Sequence, residues 1–282
     1  MQGAIALAPA IAVCKSLSHL DLSANELCGI DVLGQGAFTS EGIMAIAAAI
    51  RVNSFLTCLS TAHNEISGDG AQQLADAVLA MPTLESFSGI PLKELRADCL
   101  TSLDLSDKGL GVTEALVLAN LVGFVSKSLT SLNLKGNELG AQGAAALAPA
   151  IAASGLIAAN LLANRLDIES AALLLEIKAH RPSLRTLCGL THNETQLDLE
   201  RHNLGPGDAM LLAQEIGLMG SLSQVCLALV NGFCHFVPPH TPGCAVLARA
   251  LIRKRARFLR LLSSSLLFSR PLFSFLFLSL SR

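Results

Sequence analysis

The chain has 282 residues, of which 51% are hydrophobic, 15% charged and 4% aromatic, with neither Trp nor Tyr. This composition excludes extended disorder for most of the chain, because disorder needs low hydrophobicity and high charge. The net charge of −2 is unevenly distributed along the chain. Residues 1–215 contain every Asp and Glu and carry a net charge of −10, whereas residues 216–282 contain no acid and eight Lys and Arg. The two parts therefore differ in composition and are predicted to differ in origin.

The first segment is predicted to be a helix belonging to a repeat. Residues 2–12 read QGAIALAPAIA, and residues 142–152 read QGAAALAPAIA, so ten of eleven positions are identical. The segment is apolar, but it lacks the basic start of a secretory signal. Because this helix begins at Met1 with no strand or polar cap before it, we expect the chain to be a fragment of a longer array.

The internal match belongs to a pattern, L-x-x-L-x-L-x-x-N-x-L, that recurs along the chain. Five clear copies begin at Leu17, Leu56, Leu100, Leu129 and Leu156. A weaker copy ends at Leu204, half-copies begin at Leu84 and Leu184, and a last one is indicated at Leu222. The clear copies are 27–29 residues apart between Lys108, Asn137 and Asn164. That spacing leaves room for a full helix in each repeat, and helices are predicted over residues 71–79, 141–151 and 168–177.

This pattern resembles the ribonuclease-inhibitor-like leucine-rich repeats, which also occur in NOD-like receptors and in Ran GTPase-activating proteins. It is similar to arrays that are abundant in unicellular algae. The resemblance covers residues 2–230. It implies an α/β fold: a right-handed, curved solenoid, or horseshoe, of about seven to nine repeats, with parallel strands on the concave face and helices on the convex face.

Each copy predicts which side chains face inward. In L-x-L both Leu point into the core, so the residue between them points outward. The recurring turn position after each strand is predicted to hold a structural ladder of asparagines, whose amides satisfy buried backbone groups: Asn25, Asn64, Asn137 and Asn164. Lys108 and His202 replace Asn in two copies, and looser turns are expected there.

Three intervals depart from the regular spacing. The gaps after Phe87 and Leu187 are too short for a helix of ordinary length, so two strand–loop–strand steps without a full helix are predicted. The interval from Asn25 to Asn64 is long, and an inserted surface loop is predicted over residues 28–39, which include Gly29, Gly34 and Gly36.

The outward residues form the candidate binding surface, because extended concave faces are how solenoids bind. The surface is small, polar and mildly acidic: Asp21, Ser23, Ser60, Asp104, Ser106, Asn133, Lys135, Asn160, Asp198 and Glu200. The alternative is that these are merely solvated strand residues. An acidic face argues against nucleic acid, whose phosphates need Lys and Arg. The function that follows is a non-enzymatic scaffold binding a protein partner. The alternatives are a fragment of a NOD-like-receptor-type sensor and a Ran-type GTPase-activating regulator.

Motifs of catalysis are weak or missing in the sequence. There is no G-x-x-x-x-G-K-[ST], G-x-S-x-G or H-E-x-x-H motif. A GTPase activator would need an arginine finger, and Arg51 is the only early arginine. Cys234, His235, His240 and Cys244 could ligate zinc, but their spacing fits no common finger. No catalytic residue, cofactor or metal is therefore predicted. The eight cysteines contain no C-x-x-C pair, which favours reduced thiols and a cytoplasmic location.

The C-terminal part is predicted not to continue the fold. Residues 231–260 read as a proline-containing linker and a basic helix, and residues 261–282 as a low-complexity tail. Of those last 22 residues, 20 are Leu, Ser, Phe or Pro, the amino acids whose codons can consist only of C and T. A translated pyrimidine tract would produce this composition. The alternatives are a nuclear-localisation patch and a membrane-surface helix.

Overall fold

Strands and helices alternate along the chain. The computed structural model describes residues 2–29, 38–199, 202–226, 228–229 and 233–234. The helices among these residues are α1 (Gln2–Val13), α2 (Glu41–Val52), α3 (Gly68–Ala80), α4 (Leu92–Arg96), α5 (Val112–Asn120), α6 (Gly140–Ala153), α7 (Ile168–His180) and α8 (Pro206–Ile216). A π-helical turn, Leu121–Val125, follows α5. Helices α3, α6 and α7 confirm the three segments predicted from the spacing of the repeats.

The strands have two or three residues each, and in the three-residue strands the central residue is expected to face inward. They are β1 (His19–Asp21), β2 (Cys58–Ser60), β3 (Ser86–Phe87), β4 (Ile90–Pro91), β5 (Ser102–Asp104), β6 (Ser131–Asn133), β7 (Ala158–Asn160), β8 (Gln196–Asp198), β9 (Gln224–Cys226), β10 (Ala228–Leu229) and β11 (Phe233–Cys234). The central residue of β2, β5 and β6 is a buried leucine, and its two neighbours are more exposed. One face of each strand therefore joins the core and the other remains open.

The described residues form two compact units. The first contains residues 2–29 and 38–190 together with His202–Asp208. The second contains residues 191–199 and the described residues from Ala209 onward. The first unit holds two sheets, one in the order β1-β2-β3-β4 and one in the order β5-β6-β7.

Parallel pairing in register links the repeats of the first unit. Leu20 lies beside Leu59 in β1 and β2, and Leu103 lies beside Leu132 in β5 and β6. Beyond β7 the ladder continues through single bridges, such as the one between Ala158 and Thr186. Parallel strands need a crossover connection, and helices supply it for the regular repeats.

The first short repeat contributes no full-length helix to the helical layer. Strand β3 turns back as an antiparallel hairpin with β4, in which Phe87 pairs with Ile90. The five-residue α4 follows, so α3 packs directly against α5. Phe87 of β3 and Leu92 of α4 are both fully buried. The second short repeat runs from Cys188 to β8 without a helix.

The second unit contains the last parallel strand pair among the described residues. Strand β8 pairs parallel with β9, and β10 pairs antiparallel with β11. Most of the predicted inserted loop and nearly all of the predicted linker, basic helix and tail lie outside the described residues. Within the part of the chain that is described, no helix has the length and apolar character needed to cross a membrane.

Candidate functional site

The candidate site is the open face of the strands, where outward side chains of neighbouring repeats meet. We call the members of the first unit the strand-face row: Asp21, Ser23, Ser60, Asp104, Ser106, Asn133, Lys135 and Asn160. Each is exposed or half-buried. The pairing of the strands divides the row into two groups, one on each sheet.

The first group joins β1 to β2. Asp21 lies beside Ser60 in the parallel register. The Ser23 hydroxyl is 2.6 Å from the Asp21 carboxylate and 2.6 Å from the Ser60 hydroxyl. Hydrogen bonds from the Ser23 side chain and backbone lower the pKa of the Asp21 carboxyl, so it stays ionised at neutral pH.

The second group crosses three strands. Asp104, Asn133 and Asn160 occupy equivalent places on β5, β6 and β7. The Asn133 amide donates to the Asp104 carboxylate at 3.0 Å, and the Ser106 hydroxyl donates to it at 2.7 Å. Hydrogen bonds from the Ser106 backbone and side chain lower the pKa of Asp104. The Asn133 and Asn160 oxygens accept from backbone N–H groups two residues further on, Lys135 and Leu162. The outward side chains are thereby held in fixed orientations.

The two remaining predicted site residues are not part of these groups. Asp198 belongs to the second unit, where it lies beside Cys226 in the β8–β9 pair and is exposed. Glu200 lies outside the described residues.

Behind the face, two asparagines each connect two consecutive turns. Asn137 is 2% exposed; its Oδ1 accepts from Lys108 N and Leu110 N, both at 3.0 Å. Its Nδ2 donates to the carbonyls of Leu105 and Leu134, both at 2.8 Å. Asn64 serves the preceding turn in the same way through Asn25 N and Leu27 N. These amides satisfy backbone groups that helices and strands leave unpaired.

The other two predicted ladder residues differ. Asn164 donates to three carbonyls, including that of Leu134 at 2.8 Å, but its buried Oδ1 has no hydrogen-bond partner. Asn25 is exposed and donates to the Ser23 carbonyl. A ladder asparagine acts on the turn of the preceding repeat, and β1 is an edge strand of its sheet. Asn25 therefore lacks a neighbouring turn on that side within the described chain.

The looser turn expected at Lys108 stays a prediction. The Lys108 N–H donates to the Asn137 Oδ1 at 3.0 Å, and a carboxylate six residues later, Glu114, bonds to this turn and to earlier repeats. Glu114 is buried and accepts from the hydroxyls of Thr61 and Ser88 at 3.1 and 2.8 Å. Its other oxygen accepts from Gly111 N at 2.9 Å. A side chain from the first turn of α5 thus connects this turn to two hydroxyls of earlier repeats.

An acid is buried at the equivalent place after His202. Asp208, again six residues later, is buried in the first turn of α8. Its carboxylate accepts from Ala163 N at 2.8 Å and Gly205 N at 2.7 Å. Burial raises the pKa of Asp208, and the two backbone donors oppose that effect. The sequence contains one signal for both residues. Each is an acid six residues after a turn position that lacks asparagine.

A cleft of about 310 Å³ lies at the starts of α3, α5 and α6, beside the turns that precede these three helices. Arg165 crosses part of it, 3.0 Å from the Glu138 carboxylate and 3.7 Å from that of Glu65. Both pairs are partly exposed to solvent, so they add little stability. The strand-face row does not line this cleft.

The other candidates from the sequence are a metal site and an arginine finger. They contain no cluster of three or more His, Cys, Asp or Glu that could hold a metal. Of the proposed zinc ligands, only Cys234 is described. Arg51 lies in the last turn of α2 and donates to the Gln73 carbonyl at 3.4 Å. It is therefore on the helical layer and not on a strand-exit loop.

Comparison with known proteins gives matches to repeat-containing chains. A family model described as Leucine Rich repeat matches residues 52–75 and 125–148, the two windows that contain Asn64 and Asn137. Among solved structures, the chain is similar to the C-terminal domain of tropomodulin from Caenorhabditis elegans, with 16% identity, a TM-score of 0.29 and coverage of 65% of this chain and 96% of that one. It is also similar to LegL7, a leucine-rich repeat-containing protein from Legionella pneumophila, with 22% identity, a TM-score of 0.30 and coverage of 89% and 77%. No curated protein matches the chain.

Proposed function

The chain is a leucine-rich repeat protein, and from that premise we propose that it is a non-enzymatic scaffold that binds a protein partner through its strand-face row. Leucine-rich repeat domains generally mediate protein–protein interactions. The finer parts of the proposal are the face that binds, its concave curvature in a right-handed solenoid, and the ribonuclease-inhibitor-like subtype of the repeats.

The observation that carries the proposal is the row formed by Asp104, Asn133 and Asn160. Three adjacent strands present polar groups at one level: Asn133 donates to Asp104, and Asn160 accepts from the Leu162 N–H. Side chains that are ordered before binding lose less conformational entropy when a partner docks.

The charge of the row supports a partner of a particular kind. Asp21 and Asp104 both have lowered pKa values and carry negative charge at neutral pH. They favour basic or hydrogen-bond-donating side chains of a protein partner and disfavour phosphate backbones. Large aromatic anchors are absent from the row, so specificity depends on polar matching.

We also propose that the protein works in a reducing, cytoplasmic compartment. Four of the described cysteines, Cys14, Cys28, Cys58 and Cys99, have free thiols. Burial raises the pKa of the Cys28 thiol to about 11, which keeps it protonated and unreactive at neutral pH.

Capture of a partner from native extract tests the proposed face. Full-length chain is compared with Asn133→Arg, which places a bulky cation in the centre of the row, and with Asp76→Arg, a matched change on the exposed side of α3. We expect the same proteins to be retained by the wild type and by Asp76→Arg, and to be lost with Asn133→Arg. Equal retention by all three proteins would show that the partner binds elsewhere.

A further inference from the structure

The parallel ladder of the first unit is interrupted between β4 and β5. Within each of its two sheets, parallel strands pair residue by residue, as Leu103 does with Leu132. Strand β4 runs antiparallel to β3 and, among the described residues, is an edge strand on its other side. The described residues 2–87 therefore form a first stack and residues 100–180 a second stack. Residues 88–99, the connecting segment, lie between them.

One edge of the junction between the stacks is filled by the connecting segment. Leu95 of α4 is fully buried, and its carbonyl accepts from the buried Ser126 hydroxyl at 2.7 Å. Ser126 follows the π-helical turn of the second stack. Arg96 donates to the carbonyl of Val78, in the last turn of α3, at 3.3 Å. The two stacks are thus both bonded to the connecting segment where their helices end.

The opposite edge of the junction, where the helices begin, contains the cleft. Its walls come from both stacks, with residues 61 and 63–67 on one side and residues 109–114 on the other. The His63 N–H donates across it to the Gly109 carbonyl at 3.1 Å. At the buried base, the Thr61 hydroxyl donates to the Glu114 carboxylate at 3.1 Å. A junction that is packed at one edge and open at the other favours rotation about the packed edge.

Two contacts close the rim of the cleft, and we call them the latch. Arg165 of the second stack lies 3.7 Å from the Glu65 carboxylate of the first. The Gln142 side-chain oxygen accepts from Gly68 N at 3.3 Å. All four residues are exposed to solvent. Exposed ion pairs contribute little stability and are screened by salt, so the latch can part without loss of buried packing.

We propose that the two stacks form a hinge, which rotates about the connecting segment and opens at the cleft when the latch parts. The regular junctions lack this freedom, because in-register pairing joins their strands directly, as it joins β5 to β6. The buried bond between Thr61 and Glu114 limits the rotation, since it lies at the base of the cleft.

Opening of the hinge changes the spacing within the strand-face row. The group around Asp21 and Ser60 is on the first stack, whereas the group around Asp104 and Asn133 is on the second. Each group keeps its internal hydrogen bonds when the stacks move, because those bonds lie within one stack. The hinge thus adjusts an ordered surface to the dimensions of a partner. This consequence rests on the proposed function, but the hinge itself does not.

Hydrogen–deuterium exchange of the full-length chain, followed by mass spectrometry, tests the hinge, because amide exchange reports local opening. Arg165→Gln removes the ionic contact of the latch. Lys93→Gln is the matched control: it removes the cation of another exposed ion pair, in which the Lys93 and Glu85 side chains are 65% and 54% exposed, against 63% and 52% for Arg165 and Glu65. Lys93 does not line the cleft.

We expect Arg165→Gln to raise the exchange rate of both cleft walls, residues 63–71 and residues 109–115, by about twofold to fivefold, the size of effect that an exposed ion pair supports. Lys93→Gln should leave both walls unchanged. Salt at about 1 M, where the Debye length is about 3 Å, should raise exchange of the walls in the wild type and add little in Arg165→Gln.

Three results would overturn the proposal. The first is unchanged exchange of the two walls in Arg165→Gln. The second is a rise confined to residues 163–167, which would mean that one turn loosens while the stacks stay in place. The third is an equal rise along the whole chain, which would indicate a general loss of stability. Gln142→Ala, which removes the other latch contact, replaces Arg165→Gln if that variant does not fold. Partner capture is a separate measurement, because the latch and the strand-face row share no residue.

Discussion

Replacement of Asn137 by leucine isolates the contribution of one ladder asparagine. The side chain is buried and makes four hydrogen bonds of 3.0 Å or less, two as acceptor and two as donor. Leucine has a similar size but no polar atoms, so the packing volume changes little. The loss of stability therefore reports mainly on the backbone groups that Asn137 serves.

The magnitude follows from the two backbone N–H groups that lose their acceptor. Each buried, unpaired donor costs about 1–3 kcal/mol, so we expect the free energy of unfolding to fall by about 2–6 kcal/mol. The two carbonyls add less, because a carbonyl oxygen has a second lone pair. This loss is a large fraction of the whole stability of a typical domain.

Asn25→Leu is the matched control. It makes the same chemical change at the same position of the repeat, but Asn25 is exposed and its amide donates to one carbonyl, that of Ser23. We expect it to change the free energy of unfolding by less than about 1 kcal/mol. Lys135→Ala, on the strand face, is expected to remain within about 0.5 kcal/mol.

Urea denaturation followed by far-UV circular dichroism measures the three differences. The midpoint for Asn137→Leu should fall well below those of Asn25→Leu and Lys135→Ala at an unchanged slope. Equal midpoints for the three variants would refute the assigned register, because they would mean that Asn137 serves no buried backbone group.

Three further predictions concern the residues behind the strand face. Glu114→Ala removes the acceptor of two buried hydroxyls and one N–H, and should lower the free energy of unfolding by about 2–5 kcal/mol, whereas Glu94→Ala, at an exposed residue of α4, should change it little; equal effects would contradict the role of Glu114 as a buried acceptor. Burial raises the pKa of Asp208, so its contribution to stability is complete below about pH 4 and is lost as the pH rises through the raised value. The stability of the wild type relative to Asp208→Asn should therefore decline as the pH rises above about 4 in parallel urea titrations, and a constant difference would contradict this. Gly189→Ala should cost about 1–3 kcal/mol in thermal unfolding, because φ is +70° and the new Cβ would lie 2.7 Å from the Asn160 amide nitrogen; an unchanged melting temperature would argue against that close approach.

The repeating sequence was sufficient to predict the alternation of strands and helices. The inward leucines of β2, β5 and β6 and the helices α3, α6 and α7 follow from patterns that are local and recur many times. A period of two selects which residues of a strand face outward, and a repeat of 27–29 residues provides the length for a helix. Such signals need no knowledge of what lies next to a repeat.

What lies next to a repeat was decided by the tertiary structure alone. Glu114 bonds to Thr61 across 53 positions of sequence, and the hairpin of β3 and β4 lets α3 meet α5 directly. Asn25 and Asn137 occupy the same position of the pattern, but only Asn137 has a preceding turn to bind. Leu7 and Leu147 likewise share their sequence surroundings and differ in exposure. Periodicity specifies a residue's direction, whereas its burial and its hydrogen-bond partners depend on which neighbour the folded chain places against it.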